Sequence, residues 1–306
     1  MMATKHPPRG GPAGRRNGAA IAVLLGPFLA LFALTFVGPI GYAMYQSVIG
    51  VERMGALGLE GSRTVFVGLD NYIEAFNQLG FIEGFGTVAL FALVQVPLML
   101  ALATLLALLL ETLSDRWAGL FRAGFFLPYG VPGVIASLLW GFLYTPGTSP
   151  ITELLGRAGL QVDFFGYDTV LWSLVNIAVW QFAGYNVLVL VAQLKAIPRD
   201  LYEAAAIDGA SLWTIAWRIQ IPLIRPALVL TAVFSIIGAM QLFSEPLVLQ
   251  LLAPAITDDY TPNLSAYKEA FTNNNPNLAA AQAVILAVVA GVLSFGFLRL
   301  VGWRRT

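Results

Sequence analysis

Few side chains in this sequence can do covalent chemistry. It has no cysteine, and its one histidine, His6, sits in a stretch of Pro, Gly and Arg; thiol nucleophiles, disulfides and Cys-based metal sites are excluded together. The three lysines, Lys5, Lys195 and Lys268, follow Thr, Leu and Tyr, so none completes the Gly-Lys-Ser/Thr loop that cradles a nucleotide phosphate. No H-E-x-x-H pair occurs, and neither a metal nor a cofactor is expected in this chain. What remains is hydrogen bonding in apolar surroundings. Glu245 stands deep in an apolar run, with Gln241 one helical turn before it, Ser244 beside it and Gln250 nearby. A carboxyl at such depth is expected to face a cavity. Trp140, Asn176, Trp180, Gln181, Tyr185 and Asn186 add amides and rings, a mixture suited to a sugar, whose hydroxyls need partners and whose ring faces stack.

The elements that hold these groups follow from composition. Hydrophobic residues make up 58% and charged residues 11% of the 306, against roughly a quarter charged in an average soluble domain, and the mean hydropathy is +0.76. The fold expected is an all-α membrane protein. A helix must supply about 20 apolar residues to cross about 30 Å of hydrocarbon. Six runs qualify, over residues 19–45, 85–110, 123–144, 169–192, 227–252 and 278–301. The first is far longer than a secretory signal's apolar region and is expected to stay as an anchor. Residues 1–18 are expected as a flexible basic tail and residues 19–303 as one membrane domain. Pro27, Pro39, Pro97, Pro128, Pro132 and Pro246 predict kinked or broken helices, tolerated where neighbours satisfy the freed carbonyls.

Charge sets the expected orientation. With the N-terminus in the cytoplasm, 13 of the 17 Lys and Arg fall on the inside, in the tail, at Arg116 and Arg122, from Lys195 to Arg225, and after Arg299. Arg53, Arg63, Arg157 and Lys268 fall outside, among an excess of acidic residues that includes Glu60, Asp70, Asp258 and Asp259. Both termini are therefore expected inside. The 17 Asp and Glu balance the 17 Lys and Arg, so no nucleic-acid partner is expected.

The fourth loop, Gln193 to Pro226, is patterned as two short helices. Pro198 suits a first turn, Asp200 and Glu203 suit a helix N-terminus, and Ala204, Ala205 and Ala206 are strong helix formers. Gly209 predicts the stop and Ser211 the cap of a second helix carrying Trp213, Ile215, Trp217 and Ile219, with Pro222 ending it. Leu201, Tyr202 and Trp213 offer apolar anchors on this elbow, to a partner protein or to the bilayer surface.

Glu203-Ala204-Ala205, three residues, Gly209, nine residues, Ile219 and then Ile221-Pro222 resemble the EAA signature of binding-protein-dependent ABC importer permeases. Leu194, Ile197-Pro198, Leu201-Tyr202 and Ile207-Asp208-Gly209-Ala210-Ser211 are similar to the carbohydrate-uptake branch with its maltose-type and glycerol-phosphate-type permeases. Ile221 replaces the usual leucine, a volume-conserving change. Weaker similarity covers residues 20–303, including Gly68-Leu69-Asp70-Asn71-Tyr72; where the family often has a Gly-Gly-Pro turn, this chain reads Leu251-Leu252-Ala253-Pro254.

The resemblance implies a type I ABC importer permease fold in a bacterial or archaeal inner membrane, a transporter subunit and not an enzyme. It implies ATPase coupling through Glu203, Ala204, Ala205, Asp208, Gly209, Ala210, Ile219 and Pro222, with the coupling helix at about 199–209. The implied partners are a second, different permease chain, two ATPase subunits that bind ATP and Mg, an extracytoplasmic solute-binding protein and a sugar. Two other classes stay in view: an ion-coupled carrier, which needs several intramembrane ionisable groups, and a non-transporting scaffold, which needs no polar cavity.

Overall fold

The computed structural model describes residues 13–53 and 62–302. Lys5, His6, Arg9, Glu60, Arg304 and Arg305, and most of the expected tail, lie outside the described residues.

The described residues begin with one long rod: α1 (Ala13–Phe32), a π turn (Ala33–Val37) and α2 (Gly38–Ser47). Leu24, Phe28, Leu34 and Phe36 are exposed along it, an arrangement stable only where hydrocarbon is the solvent. An antiparallel hairpin follows, β1 (Ile49–Arg53) with β2 (Ser62–Phe66), Ile49 opposite Phe66; it is a small departure from an all-helical chain. Asn71, buried in α3 (Asp70–Asn77), ties hairpin to rod by donating to the carbonyls of Ser47 at 2.9 Å and Ile49 at 2.8 Å.

Next comes α4 (Leu79–Glu111), whose 33 residues span about 50 Å. The third apolar run, expected as one span, is instead α5 (Asp115–Phe126), a 3-10 turn (Leu127–Gly130) and α6 (Gly133–Tyr144), with a bend of 98° between them. Pro132 stands extended at φ −56°, ψ 139° before α6 and has no N–H to continue the ladder. A loop helix, α7 (Pro150–Arg157), leads to α8 (Val170–Lys195), the most buried of the long helices.

The elbow consists of α9 (Arg199–Ile207) and α10 (Leu212–Ile215), and α10 passes through a π turn (Ala216–Gln220) into α11 (Ile221–Met240). Pro222 therefore does not end the second helix, contrary to expectation. A proline ring crowds the carbonyl four residues back, here Arg218, and that residue lies in the widened turn, which makes room without a break. The same device precedes Pro39, whose crowded carbonyl is Thr35. The expected fifth span, 227–252, is also interrupted. α11 stops at Met240, and α12 (Ser244–Leu249) resumes the same apolar span after a break at Phe243, φ −147°, ψ −57°. α13 (Pro262–Tyr267), a π turn (Lys268–Thr272) and α14 (Pro276–Gly302) complete the chain.

Five helices of the described residues are long and apolar enough to cross a membrane, or six if the bent pair is one span. The core is a seam of α4, α8 and α11, with Phe91, Met99, Leu174 and Ile177 in one cluster and Ala103, Val187, Leu190, Leu194 and Ile224 in another. At one end Gln282 donates to Gln78 at 2.7 Å and Gln78 to Glu269 at 3.1 Å, joining the starts of α4 and α14 to the last π turn. The elbow lies at the other end, beside the last turns of α4.

Candidate functional site: a membrane cavity and an exposed elbow

The elbow is built by local rules. α9 ends in a paired turn: the N–H of Gly209 donates to Ala206 O at 3.1 Å, and that of Ala210 to Ala205 O at 2.9 Å. Such a turn needs a left-handed residue directly after the helix cap, here Asp208, and Gly209 has φ +72°. Ser211 caps the next helix by accepting from the Thr214 N–H at 3.2 Å. Pro198 is the residue before α9 rather than part of its first turn.

Of the residues implied for coupling, Glu203, Ala204, Asp208, Gly209 and Pro222 are exposed, Ala210 and Ile219 are half-buried, and Ala205 is buried. Ala205 thus seats the elbow on its own subunit while its neighbours face outward. The elbow presents large apolar side chains at its surface: Ile207 is 88% exposed, Leu212 73% and Trp213 71%. Trp213 and Trp217 pack edge to face at 5.5 Å. Leu201 is exposed, but Tyr202 is half-buried, its hydroxyl accepting from Gln220 at 3.4 Å. It lines a cleft of about 1010 Å³ under the elbow, with Glu111, Asp115, Arg199 and Glu203.

A second cavity, of about 510 Å³, opens among α4, the bend before α6, α8, α11 and the start of α12. Gln241, Ser244, Glu245, Gln181, Tyr185 and Asn186 all line it. Gln241 and Glu245 share the cavity but not a helical face, because α11 breaks between them. The break is held from a distance: Asn263 on α13 donates to Met240 O at 3.2 Å, satisfying a carbonyl at the open end of α11. The bend before α6 is held the same way, by Gln181 of α8 donating to Val131 O at 2.8 Å.

Glu245 is buried and has no basic partner among the described residues. Its carboxyl lies by the start of α6, where a Cβ on Gly133 would sit 3.5 Å from Glu245 Oε1, and it occupies the first turn of α12. Helix N-termini favour negative charge, so these ends replace a counter-ion. Outside the spans, by contrast, Lys268 has a carboxylate partner, Asp259 at 2.9 Å, whose hydrogen bond holds the ammonium pKa above its usual value.

Trp140, Asn176 and Trp180 do not line the cavity, which corrects their expected grouping with Gln181. Trp140 packs on Trp180 at 5.8 Å and on Tyr144 at 5.4 Å, and Asn176 donates to the Tyr144 hydroxyl at 2.8 Å. Successive helical residues turn by about 100°; α8 therefore sends 173, 176 and 180 toward α6 and 178, 181, 182 and 185 toward the cavity.

Several lining residues escaped the sequence reading. Gln95 is 3% exposed, and its Oε1 has no partner. Its signal was visible, since it is the one amide in the run 85–110. Tyr129, between Pro128 and Pro132, stacks on Tyr185 at 5.2 Å and meets Phe182 edge to face at 6.1 Å. Gly184 does not line the cavity but positions its wall, and it had no such signal: a Cβ there would collide with the Phe125 carbonyl oxygen, so α8 can lie against the end of α5 only with glycine at this position.

Residues 103–305 match the family described as binding-protein-dependent transport system inner membrane component. The chain is 30% identical over 234 residues to the probable ABC transporter permease protein YurN of Bacillus subtilis (strain 168), covering 75% of this chain and 80% of that protein. It is 31% identical over 282 residues to the sn-glycerol-3-phosphate transport system permease protein UgpA of Escherichia coli O157:H7, covering 89% and 90%. Its backbone superposes with a TM-score of 0.81, at 21% identity and over 95% of this chain and 98% of the other, on a chain of a bacterial ABC transporter involved in the import of the acidic polysaccharide alginate.

Proposed function

Because this chain belongs to the family of binding-protein-dependent transport system inner membrane components, we propose that it is a permease subunit of an ATP-driven importer, passing a sugar or sugar derivative delivered by an extracytoplasmic solute-binding protein. Relatives named as sn-glycerol-3-phosphate permeases and a structural neighbour from an alginate importer support that substrate range. In this reading the elbow faces the cytoplasm and docks on an ATPase subunit, which binds ATP and Mg. A second, different permease chain closes the open side of the cavity, and both termini are cytoplasmic.

The observation that carries the proposal is mechanical. α10, its π turn and α11 form one unbroken rod from Leu212 to Met240, about 43 Å long. One end of the rod carries the exposed apolar elbow, and the other supplies Phe234, Ser235, Gly238 and Ala239 to the cavity wall. A partner that moves the elbow therefore moves the wall, and a packed bundle answers such a push by switching between discrete arrangements.

Gly209→Val tests the coupling, since φ +72° is costly for a β-branched residue. The variant is expected to insert and to purify with its partner subunits, but to lose ATP hydrolysis stimulated by the loaded binding protein. Stimulated turnover at the wild-type rate would remove the elbow from the coupling path.

A further inference from the structure

Three π turns occur among the described residues, and two of them share a register with proline. In the first rod the N–H of Gly38 donates to Ala33 O, five residues back, and Pro39 follows; before α11 the N–H of Ile221 donates to Ala216 O, and Pro222 follows. In both places the helix runs on. The third turn, Lys268–Thr272, has no proline at that register, and the chain leaves the helix through Asn274 at φ +51°. Proline alone does not widen a helix, since Pro27, Pro97 and Pro226 sit inside α-helices.

A π turn carries one residue more than the α-helical path it replaces, and it is the less favourable of the two, so something must hold it. Pro222 holds it from one side. In α register its ring would meet Arg218 O, and that carbonyl would have no N–H to accept. The elbow holds it from the other side, through Gln220, which lies within the turn and donates to the Tyr202 hydroxyl at 3.4 Å. With the extra residue in place, Ile215, Ala216 and Gln220 are half-buried and line the cleft beside α4, while Trp217 and Arg218 are exposed. Removing it from the turn would rotate everything before the turn by about 100° around the rod, and these faces would exchange.

We propose that Pro222 is a positioning residue of the coupling path: by keeping α10 in the π register it fixes which face of the elbow an ATPase subunit meets, and it acts through that turn rather than by contact. The inference rests on the permease reading above and gives Pro222 a role different from that of Glu203 or Gly209.

The test uses the assembled importer in vesicles, with its binding protein purified together with the solute it carries. Two readings are taken on each complex: the ATP hydrolysis that the binding protein stimulates, and the distance between spin labels at Thr112→Cys and Leu212→Cys, both on the cleft wall. In Pro222→Ala, stimulated hydrolysis should fall about tenfold, within the range by which one site commonly biases another. The label distance should change by several ångström, since a side-chain tip turned by about 100° moves about 8 Å. Deleting Ala216 in the Pro222→Ala background takes out the extra residue, so a plain α-helix faces the elbow the original way, and both readings should return to the wild-type range. A merely structural loss of proline would not be repaired by shortening the chain. Pro226→Ala, four residues on and outside the π turn, should move neither reading. Wild-type readings in Pro222→Ala, no recovery in the shortened variant, or an equal loss in Pro226→Ala would each overturn the inference and leave the importer reading standing. Absence of any stimulation in the wild-type complex would overturn the importer reading, and the inference with it.

Discussion

At the scale of single residues, the molecule depends on a few positions where no other side chain fits. Gly184 is the clearest. The backbone carbonyl of Phe125 occupies the space a Cβ would take, and unlike the tip of a side chain it cannot swing aside. Gly184→Ala is expected to lower the stability of the assembled complex by about 3 kcal/mol, the upper range for overpacking, and to shift Gln181, less than one turn earlier on α8. Gly86→Ala is the control: nothing lies within 4 Å of a Cβ there, and alanine favours a helix over glycine by about 1 kcal/mol. Thermal unfolding of the two purified variants checks the pair; equal melting temperatures would mean that α5 and α8 are not in contact at this point. Glu245 belongs to the same scale, a carboxyl kept in apolar surroundings by two helix ends instead of a cation.

Among elements, the elbow and the two broken helices follow different rules. The elbow is punctuated locally, by Gly209 and Ser211, and its stability should respond locally. Ser211→Ala removes a cap worth about 1 kcal/mol, which is about a fivefold change in an opening equilibrium. Hydrogen exchange at Trp213 and Thr214 should accelerate about fivefold, with the amides of α4 and α8 unchanged. Exchange at the wild-type rate would mean that contacts other than the Ser211 hydroxyl hold α10. The breaks at 131–132 and 241–243 are held instead by Gln181 and Asn263, from helices elsewhere in the chain. Pro222, read from sequence as an end, is absorbed by a π turn, and a continuous rod results.

For the whole molecule, the charge distribution predicts sidedness. The chain has no cysteine, so Ser62→Cys, Thr148→Cys, Ala206→Cys and Thr257→Cys, all at exposed positions, can be probed in intact cells with an impermeant thiol reagent. Positions 62, 148 and 257 should label and position 206 should not. Labelling confined to position 206 would invert the orientation and put the elbow on the wrong side for an ATPase. Sidedness also bears on the open flank of the cavity. Tyr129 is 40% exposed, Phe182 37% and Tyr185 36%, an aromatic rim where a second permease chain would complete the site.

What the sequence determined by itself are features settled within a few residues of chain. Apolar runs the length of a bilayer, a left-handed stop at Gly209, a cap at Ser211 and the absence of a phosphate loop each depend on neighbours in sequence alone. The cavity was half legible on the same basis: Gln181, Tyr185, Asn186, Gln241, Ser244 and Glu245 stand out as polar or amphipathic groups in apolar surroundings, as does Gln95, which was passed over. Only the tertiary structure decided which of them meet. Trp180 and Gln181 are adjacent in the chain, yet α8 turns one toward α6 and the other into the cavity. α11 stops at Met240 because an asparagine on another helix can satisfy the carbonyl it leaves open. In hydrocarbon every backbone polar group must find a partner within the protein, and where that partner lies far along the chain, no local pattern announces it.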